Sequence, residues 1–213
     1  MALLTKSYPA RLDIDYPKEL DRFTTFVRIL WAIPIVVILL LLTATGDETI
    51  VNEAGKEVAT SSGGIVSGLF VATALMILFR QRYPRWWFNF ALELNRFSTR
   101  VGAYLLLLTD SYPSTVDKQS VQLDLDYPNV KKKLNRWLPL VKWLLALPHY
   151  IVLIVLAVGV VLATIVAWFA ILFTGRYPRA LFDYVVGVIR WAWRVDAYAF
   201  LLVTDEYPPF RLS

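Results

Sequence analysis

The chain has 213 residues, of which 57% are hydrophobic, 15% aromatic and only 18% charged, with a formal net charge of +5 and no cysteine. A soluble domain carries about a quarter charged residues, so this composition, with a mean hydropathy of +0.52, reads as an integral membrane protein. The absence of cysteine excludes disulfides, thiolate metal sites and cysteine nucleophiles.

The opening MALLTKSYPARLDIDYP lacks an apolar signal-peptide core and a small-residue cleavage site. The expectation is that no signal peptide is removed and that the first apolar helix is itself the insertion signal. Within the opening, Leu12 and Ile14 alternate with Arg11, Asp13 and Asp15, which predicts a short, half-exposed strand. Tyr16 and Pro17 end it, because proline donates no ladder hydrogen bond and holds the preceding residue extended.

Two apolar stretches follow, 23–43 and 64–80. Between them TATGDETIVNEAGKEVATSSGG holds Asp47, Glu48, Glu53, Lys56 and Glu57. That insert cannot sit in hydrocarbon, so the two stretches read as a transmembrane hairpin with 44–62 outside. Over 84–108, Trp87, Phe90, Leu94, Phe97, Val101 and Leu108 recur at helical spacing, opposite Asn89, Glu93, Arg96 and Arg100. This is an amphipathic helix; it either lies in the membrane interface or packs its stripe on the hairpins, and the two readings are compatible.

The second half repeats these phrases in order. LDLDYP (123–128) answers LDIDYP (12–17), LNRWLPLVKWLLALP (134–148) answers LDRFTTFVRILWAIP (20–34), and LFTGRYPRALFDY (172–184) answers LFRQRYPRWWFNF (78–90). IRWAWRVDAY (189–198) answers NRFSTRVGAY (95–104), and TDEYP (204–208) answers TDSYP (109–113). Seven of the eleven prolines follow a tyrosine, so Tyr-Pro pairs punctuate the unit.

The expected fold is therefore an all-α membrane protein with a small β element, built as two tandem repeats, 1–113 and 114–213. Each repeat would be a transmembrane helical hairpin plus an amphipathic interfacial helix, preceded by a short cytoplasmic strand. In repeat two the hairpin falls at 137–174, with a tight turn near Gly159 and about 18 residues per span, the short end for a bilayer; a single tilted span competes with it. The second amphipathic helix is expected at 178–203, with Phe182, Val185, Ile189, Ala192 and Val195 opposite Asp183, Arg190 and Arg194.

Lys and Arg cluster at Lys6 to Arg22, Arg80 to Arg85, Lys118 to Arg136 and Arg176 to Arg179, whereas the 43–64 insert holds one Lys against four acids. The positive-inside rule then predicts a multi-pass protein of the bacterial plasma (inner) membrane with both termini and Lys118 cytoplasmic. Arg28 and Lys142, near the cytoplasmic ends of their helices, are expected to reach toward water.

YPARLDIDYP (8–17), LPHY (147–150), LFTGRYPRALFD (172–183) and TDEYPPF (204–210) resemble the motifs of an uncharacterised bacterial integral-membrane family, a domain of unknown function, here in two copies. The resemblance covers nearly the whole chain, except that repeat one has AIPI for LPHY and carries the acidic insert. It implies membrane location and brings no activity or catalytic residues.

Catalytic material is sparse. His149 is the only histidine, and its counterpart is Ile35, so the repeated unit does not need it; a structural place beside Pro148 is the reading preferred to catalysis. Asp13, Asp15, Asp124 and Asp126 read as solvated strand faces rather than as a Ca²⁺ site. No enzyme activity, cofactor, metal or nucleic-acid partner is expected. Candidate contacts to anionic lipid headgroups or to a partner are Arg82, Arg85, Arg96, Arg100, Arg176, Arg179, Arg190 and Arg194. Asp13, Asp15, Tyr16 and Pro17, with Asp124, Asp126, Tyr127 and Pro128, form the expected strand-to-membrane adaptors. The function that fits is a non-catalytic accessory or scaffold subunit of a membrane complex, partnered by other membrane subunits or by itself; the alternative is a lipid-binding or lipid or small-molecule transport module.

Overall fold

The computed structural model describes residues 8–43, 46–51, 57–62, 65–115, 117 and 119–213, with only the backbone of 46–51 and 57–62. In chain order the elements are β1 (Ala10–Ile14), α1 (Arg22–Thr43), β2 (Gly46–Val51), β3 (Glu57–Ser62), α2 (Ile65–Arg80) and α3 (Arg85–Leu105). Then come β4 (Val121–Leu125), α4 (Val130–Lys133), a 3-10 turn at Leu138–Leu140, α5 (Lys142–Leu145), α6 (Leu147–Thr174) and α7 (Arg179–Ala199). The chain is mostly helical with small sheets.

β1 and β4 pair antiparallel, with Leu12 opposite Leu123, Ala10 opposite Leu125 and Ile14 opposite Val121. All six are buried, while the residues between them face outward. The period-two alternation sets this register, since a slip by one residue would turn every leucine out and every aspartate in.

α1 and α6 are long and apolar enough to cross a membrane. At 1.5 Å per residue they measure about 33 and 42 Å; α2 is about 24 Å, short of a hydrocarbon core of about 30 Å. α1 and α6 are not core helices. Their buried residues form narrow stripes, Thr25, Arg28, Ala32 and Ile35 on α1 and Val160, Ala163, Ala167 and Ile171 on α6. Apart from His149 at the start of α6, the remaining residues are half-buried or open, with Ile29 at 78% and Phe173 at 77% exposure.

The expected hairpin at 137–174 is corrected by the structure: α6 runs unbroken through Gly159, in line with the single-helix alternative. Nothing between Pro148 and Gly175 supplies turn chemistry, and a lone glycine only weakens a helix. Gly159 serves a close approach instead, because a β-carbon there would overlap the Tyr184 hydroxyl, which donates to the Leu156 carbonyl at 2.9 Å. Pro148 lies in the first turn of α6, where its missing N–H costs nothing, and Gly175 ends the helix in the left-handed region at φ 73°. The insert of the first half differs too. β2 and β3 pair antiparallel from Gly46 opposite Ser62 to Val51 opposite Glu57, where a polar loop is the sequence expectation; Asn52, Glu53 and Lys56 lie outside the described residues.

α3 and α7 sit between the apolar helices and the β1–β4 pair. On the α1 side Phe97 and Val101 pack with Ile35. On the α6 side Phe182 and Val185 join Val160, Ala163, Ala167 and Ile171. The apolar stripes of the amphipathic helices thus pack on α1 and α6; Phe90, which the periodicity puts in the stripe, is exposed. The result is three layers: a strand pair, an amphipathic pair and an apolar pair.

Candidate functional site

Two of the three buried cations among the described residues, Arg28 and Lys142, sit at matching places in the two halves of the chain. The Arg28 guanidinium, 2% exposed, donates to the carbonyls of Tyr104 (2.9 Å) and Thr109 (2.8 Å), pairs with the Asp110 carboxylate and lies 4.6 Å over the Tyr104 ring. Lys142, fully buried, donates to the Thr204 carbonyl at 2.7 Å, pairs with Asp205 at 2.6 Å and lies 5.2 Å from the Tyr198 ring centre. Burial pulls the Lys142 ammonium below its usual range, against the opposing hold of Asp205. The expectation that Arg28 and Lys142 reach toward water is therefore wrong. Both turn inward, because the carbonyls and carboxylate of a Thr-Asp pair replace their water.

The backbone makes that replacement possible. After α3 and α7, Leu107 and Leu202 take left-handed conformations at φ 64° and 56°, which is costly for a branched residue. Both are buried in apolar clusters, and the turns they form aim Thr109 and Thr204 at the cations. The Thr hydroxyls also make the turn bonds expected of them, accepting from the N–H of Ser111 (3.2 Å) and Glu206 (3.1 Å).

His149 lies beside the second clasp, also fully buried. Its Nδ1 accepts from the Trp191 indole at 3.1 Å, Phe210 stacks on it at 3.9 Å and Tyr207 tilts against it at 4.8 Å. Tyr207 in turn donates to the Leu145 carbonyl at 3.2 Å. As an acceptor at Nδ1, the neutral ring carries its hydrogen on Nε2. LPHY and TDEYPPF thus form one aromatic packing unit around the histidine, whose partners among the described residues are Trp191, Tyr207 and Phe210. Among the described residues no group of three or more His, Asp or Glu is placed to hold a metal ion. The strand carboxylates are spread along the ladder, Asp13 opposite Gln122 and Asp124 opposite Arg11.

The arginines divide into four pairs. Arg96 donates from Nε to the Leu123 carbonyl (2.8 Å) and pairs with Asp124 (2.6 Å) and Glu93 (2.7 Å). Arg190 donates from Nε to the Leu12 carbonyl (2.9 Å), with Asp13 at 3.9 Å. Each amphipathic helix thereby grips one strand. Arg100 binds the Ser114 carbonyl, and Arg194 binds the carbonyls of Ser213 (2.8 Å) and Arg211, tying down the segments after each Thr-Asp turn. Arg85 and Arg179 lie 4.9 and 4.6 Å over the rings of Tyr127 and Tyr16, whose hydroxyls donate to the carbonyls of Tyr83 and Tyr177. Arg82 is exposed, and Arg176 is 3.8 Å from exposed Glu19.

The adaptor residues sit at the strand ends. Asp126 pairs with Arg11 at 2.7 Å, Asp15 is exposed while its N–H donates to the Ser120 carbonyl, Pro17 is half-buried and Pro128 is buried. Replacing Arg96 or Arg190 by Gln is expected to lower unfolding free energy by about 1.5–3 kcal/mol each, the magnitude of a charge-assisted hydrogen bond. Urea unfolding in detergent measures it; unchanged stability with weakened binding to anionic vesicles would return these arginines to the lipid.

Residues 137–211 match the family model of a domain of unknown function, DUF4389. The DUF4389 segment holds α6, α7, Lys142, Asp205 and the whole His149 cluster, and leaves out the strands and α1–α3. No curated protein and no solved structure matches the chain.

Proposed function

We propose that the chain is a non-catalytic scaffold subunit of a membrane assembly, immersed through its α1–α6 face and presenting the strand face to partners. One observation carries this reading: the exposed apolar surface lies on one outer layer, and the charged strand pair lies on the opposite one. The two parts of the chain read as a tandem duplication, supported by matching clasps at Arg28–Asp110 and Lys142–Asp205. In each part the amphipathic helix grips the strand of the other, Arg96 on Leu123 and Arg190 on Leu12.

The layer order favours an apolar face lying along the membrane over one passing through it. α7 lies antiparallel beside α6, with Trp191 at His149 and Tyr184 at Leu156, and β1 runs along α7 from Tyr8 at Arg194 to Tyr16 at Tyr177. If α6 crossed the bilayer, Arg190, Arg194 and the strand aspartates would be carried to hydrocarbon depth, a cost of about 2.5 kcal/mol or more for each charge. The multi-pass arrangement, with 44–62 outside and both termini cytoplasmic, rests on the charge distribution; Lys118 itself lies outside the described residues. Reporters fused at Asn52 and at Lys131 separate the two. The in-plane reading expects both in one compartment, and opposite compartments would establish the crossing arrangement.

A lipid-binding role has its own support. An open groove of about 770 Å³ is lined by Arg80, Arg82, Arg85 and Lys131, with no acid among its lining residues. Each cation near an anionic surface contributes about 1 kcal/mol. Replacing Arg82 and Arg85 by Gln is expected to weaken binding to phosphatidylglycerol vesicles by about tenfold or more, and undiminished binding would remove the groove from the account.

A further inference from the structure

Asp196 is a carboxylate that neither clasp nor strand uses. It lies on α7, half-buried, and opens on a cavity of about 350 Å³ bounded by the end of α1, α2, α3 and α7. That volume is within the range of small-molecule sites. Phe70, Tyr83, Trp87 and Phe200 are among its walls. Among the described residues, none gives the Asp196 carboxyl a hydrogen bond or an ion pair. The aromatic surroundings push it up to about 7 through burial alone.

The wall residues are braced by one another and by a neighbour, and none of these contacts involves Asp196. Trp87 donates to Thr73 at 3.0 Å, Phe70 and Phe200 meet edge to face at 5.8 Å, and Tyr83 meets Phe88 at 5.7 Å. The acid is not required by the fold of such a helix, because NRFSTRVGAY has Gly102 where IRWAWRVDAY has Asp196. A carboxylate without a partner in an apolar site is costly unless something pairs with it. Aromatic faces around a negative charge are what an organic cation selects, through ring quadrupole and counter-charge together.

We propose that this cavity binds an organic ammonium ion carried on an apolar body, with Asp196 as its counter-charge and Trp87, Tyr83, Phe70 and Phe200 as its ring walls. Val66 and Phe200 at the cavity are exposed, on the side of the molecule that carries the apolar helices, so an alkyl tail can enter from lipid. The ammonium group is shared by two sources, an aminophospholipid headgroup and a free alkylamine. The proposal does not depend on the scaffold reading, and its test uses no protein partner.

The probe is n-octylammonium, titrated into the full chain in a nonionic maltoside detergent and followed by calorimetry and by tryptophan fluorescence. Wild-type protein is expected to bind n-octylammonium at least tenfold more tightly than n-octanol or octanoate, a comparison that needs no variant. Asp196→Asn, which removes the charge but keeps the shape, is expected to abolish that preference and leave octanol binding unchanged. Equal binding of octanol and octylammonium by the wild type, or full retention of the preference by Asp196→Asn, would overturn the proposal. Displacement of octylammonium in nanodiscs containing phosphatidylethanolamine, and not in those of phosphatidylglycerol, assigns the site to the headgroup; displacement by neither assigns it to free amines.

Discussion

Replacing Asp205 by Ala is expected to destabilise the protein by about 3–5 kcal/mol, the cost of leaving one member of a buried ion pair without its partner. Lys142 has no water to fall back on: its side chain is 1% exposed, and of its two polar partners among the described residues only the Thr204 carbonyl would remain. Asp205 also accepts from the Asn135 N–H at 2.5 Å, so the substitution loosens the approach to α5 as well. The same exchange at Asp126, whose pair with Arg11 is about half exposed on both sides, is expected to cost about 1 kcal/mol or less. The pair is distinguished from mere packing by the double exchange Lys142→Met, Asp205→Leu, which removes both charges and is expected to recover most of the loss. Urea or thermal unfolding in one detergent compares these three variants with the wild type. If Asp205→Ala and Asp126→Ala cost the same, the clasp does not anchor the fold.

The clasps show why part of the site was legible and part was not. The paired phrases placed Arg28, Lys142, Thr109, Asp110, Thr204 and Asp205 at matching positions, and the Thr turn bonds followed from local chemistry. What local chemistry does not specify is the direction of a long cation at the end of an apolar helix. Water and a buried Thr-Asp turn are both good solvents for it, and the choice belongs to a left-handed turn about eighty residues away in Arg28's case. The strands were legible because their period is two and one face is buried. α6 was misjudged because repeat logic transferred the acidic insert's hairpin to a segment lacking any polar break. What meets the arginines of α3 and α7 has no local signal, because β4 and β1, whose carbonyls Arg96 and Arg190 bind, are distant in sequence. Asp196 was invisible for a similar reason, since the cavity beside it is assembled from four separate helices.

The strand layer carries the second large effect. Leu123 is 1% exposed and faces Leu12 across the ladder, within a cluster that includes Ile14, Ala103, Leu107, Leu108 and Val185. It is the point where strand pair and amphipathic helices meet. Leu123→Asp places an unpaired carboxylate among these side chains. Arg96, which binds this strand, is held by the Leu123 carbonyl and by Asp124 on the outward side. The expected loss is about 4 kcal/mol or more, combining lost burial with the cost of a desolvated charge, and it is large enough to unfold a protein of ordinary marginal stability. Asp124→Asn, one residue along on the opposite face, gives up only a partly exposed pair and is expected to cost about 1 kcal/mol or less. Leu123→Ala supplies an intermediate value of about 2–4 kcal/mol and guards against an unfolded Asp variant. Urea unfolding in detergent ranks the three. The order Asp, Ala, Asn confirms that the apolar face of LDLDYP does the holding; a larger loss for Asp124→Asn than for Leu123→Ala, with the variant losing a Ca²⁺-dependent stability that the wild type shows, would instead assign the phrase to metal binding through its carboxylates.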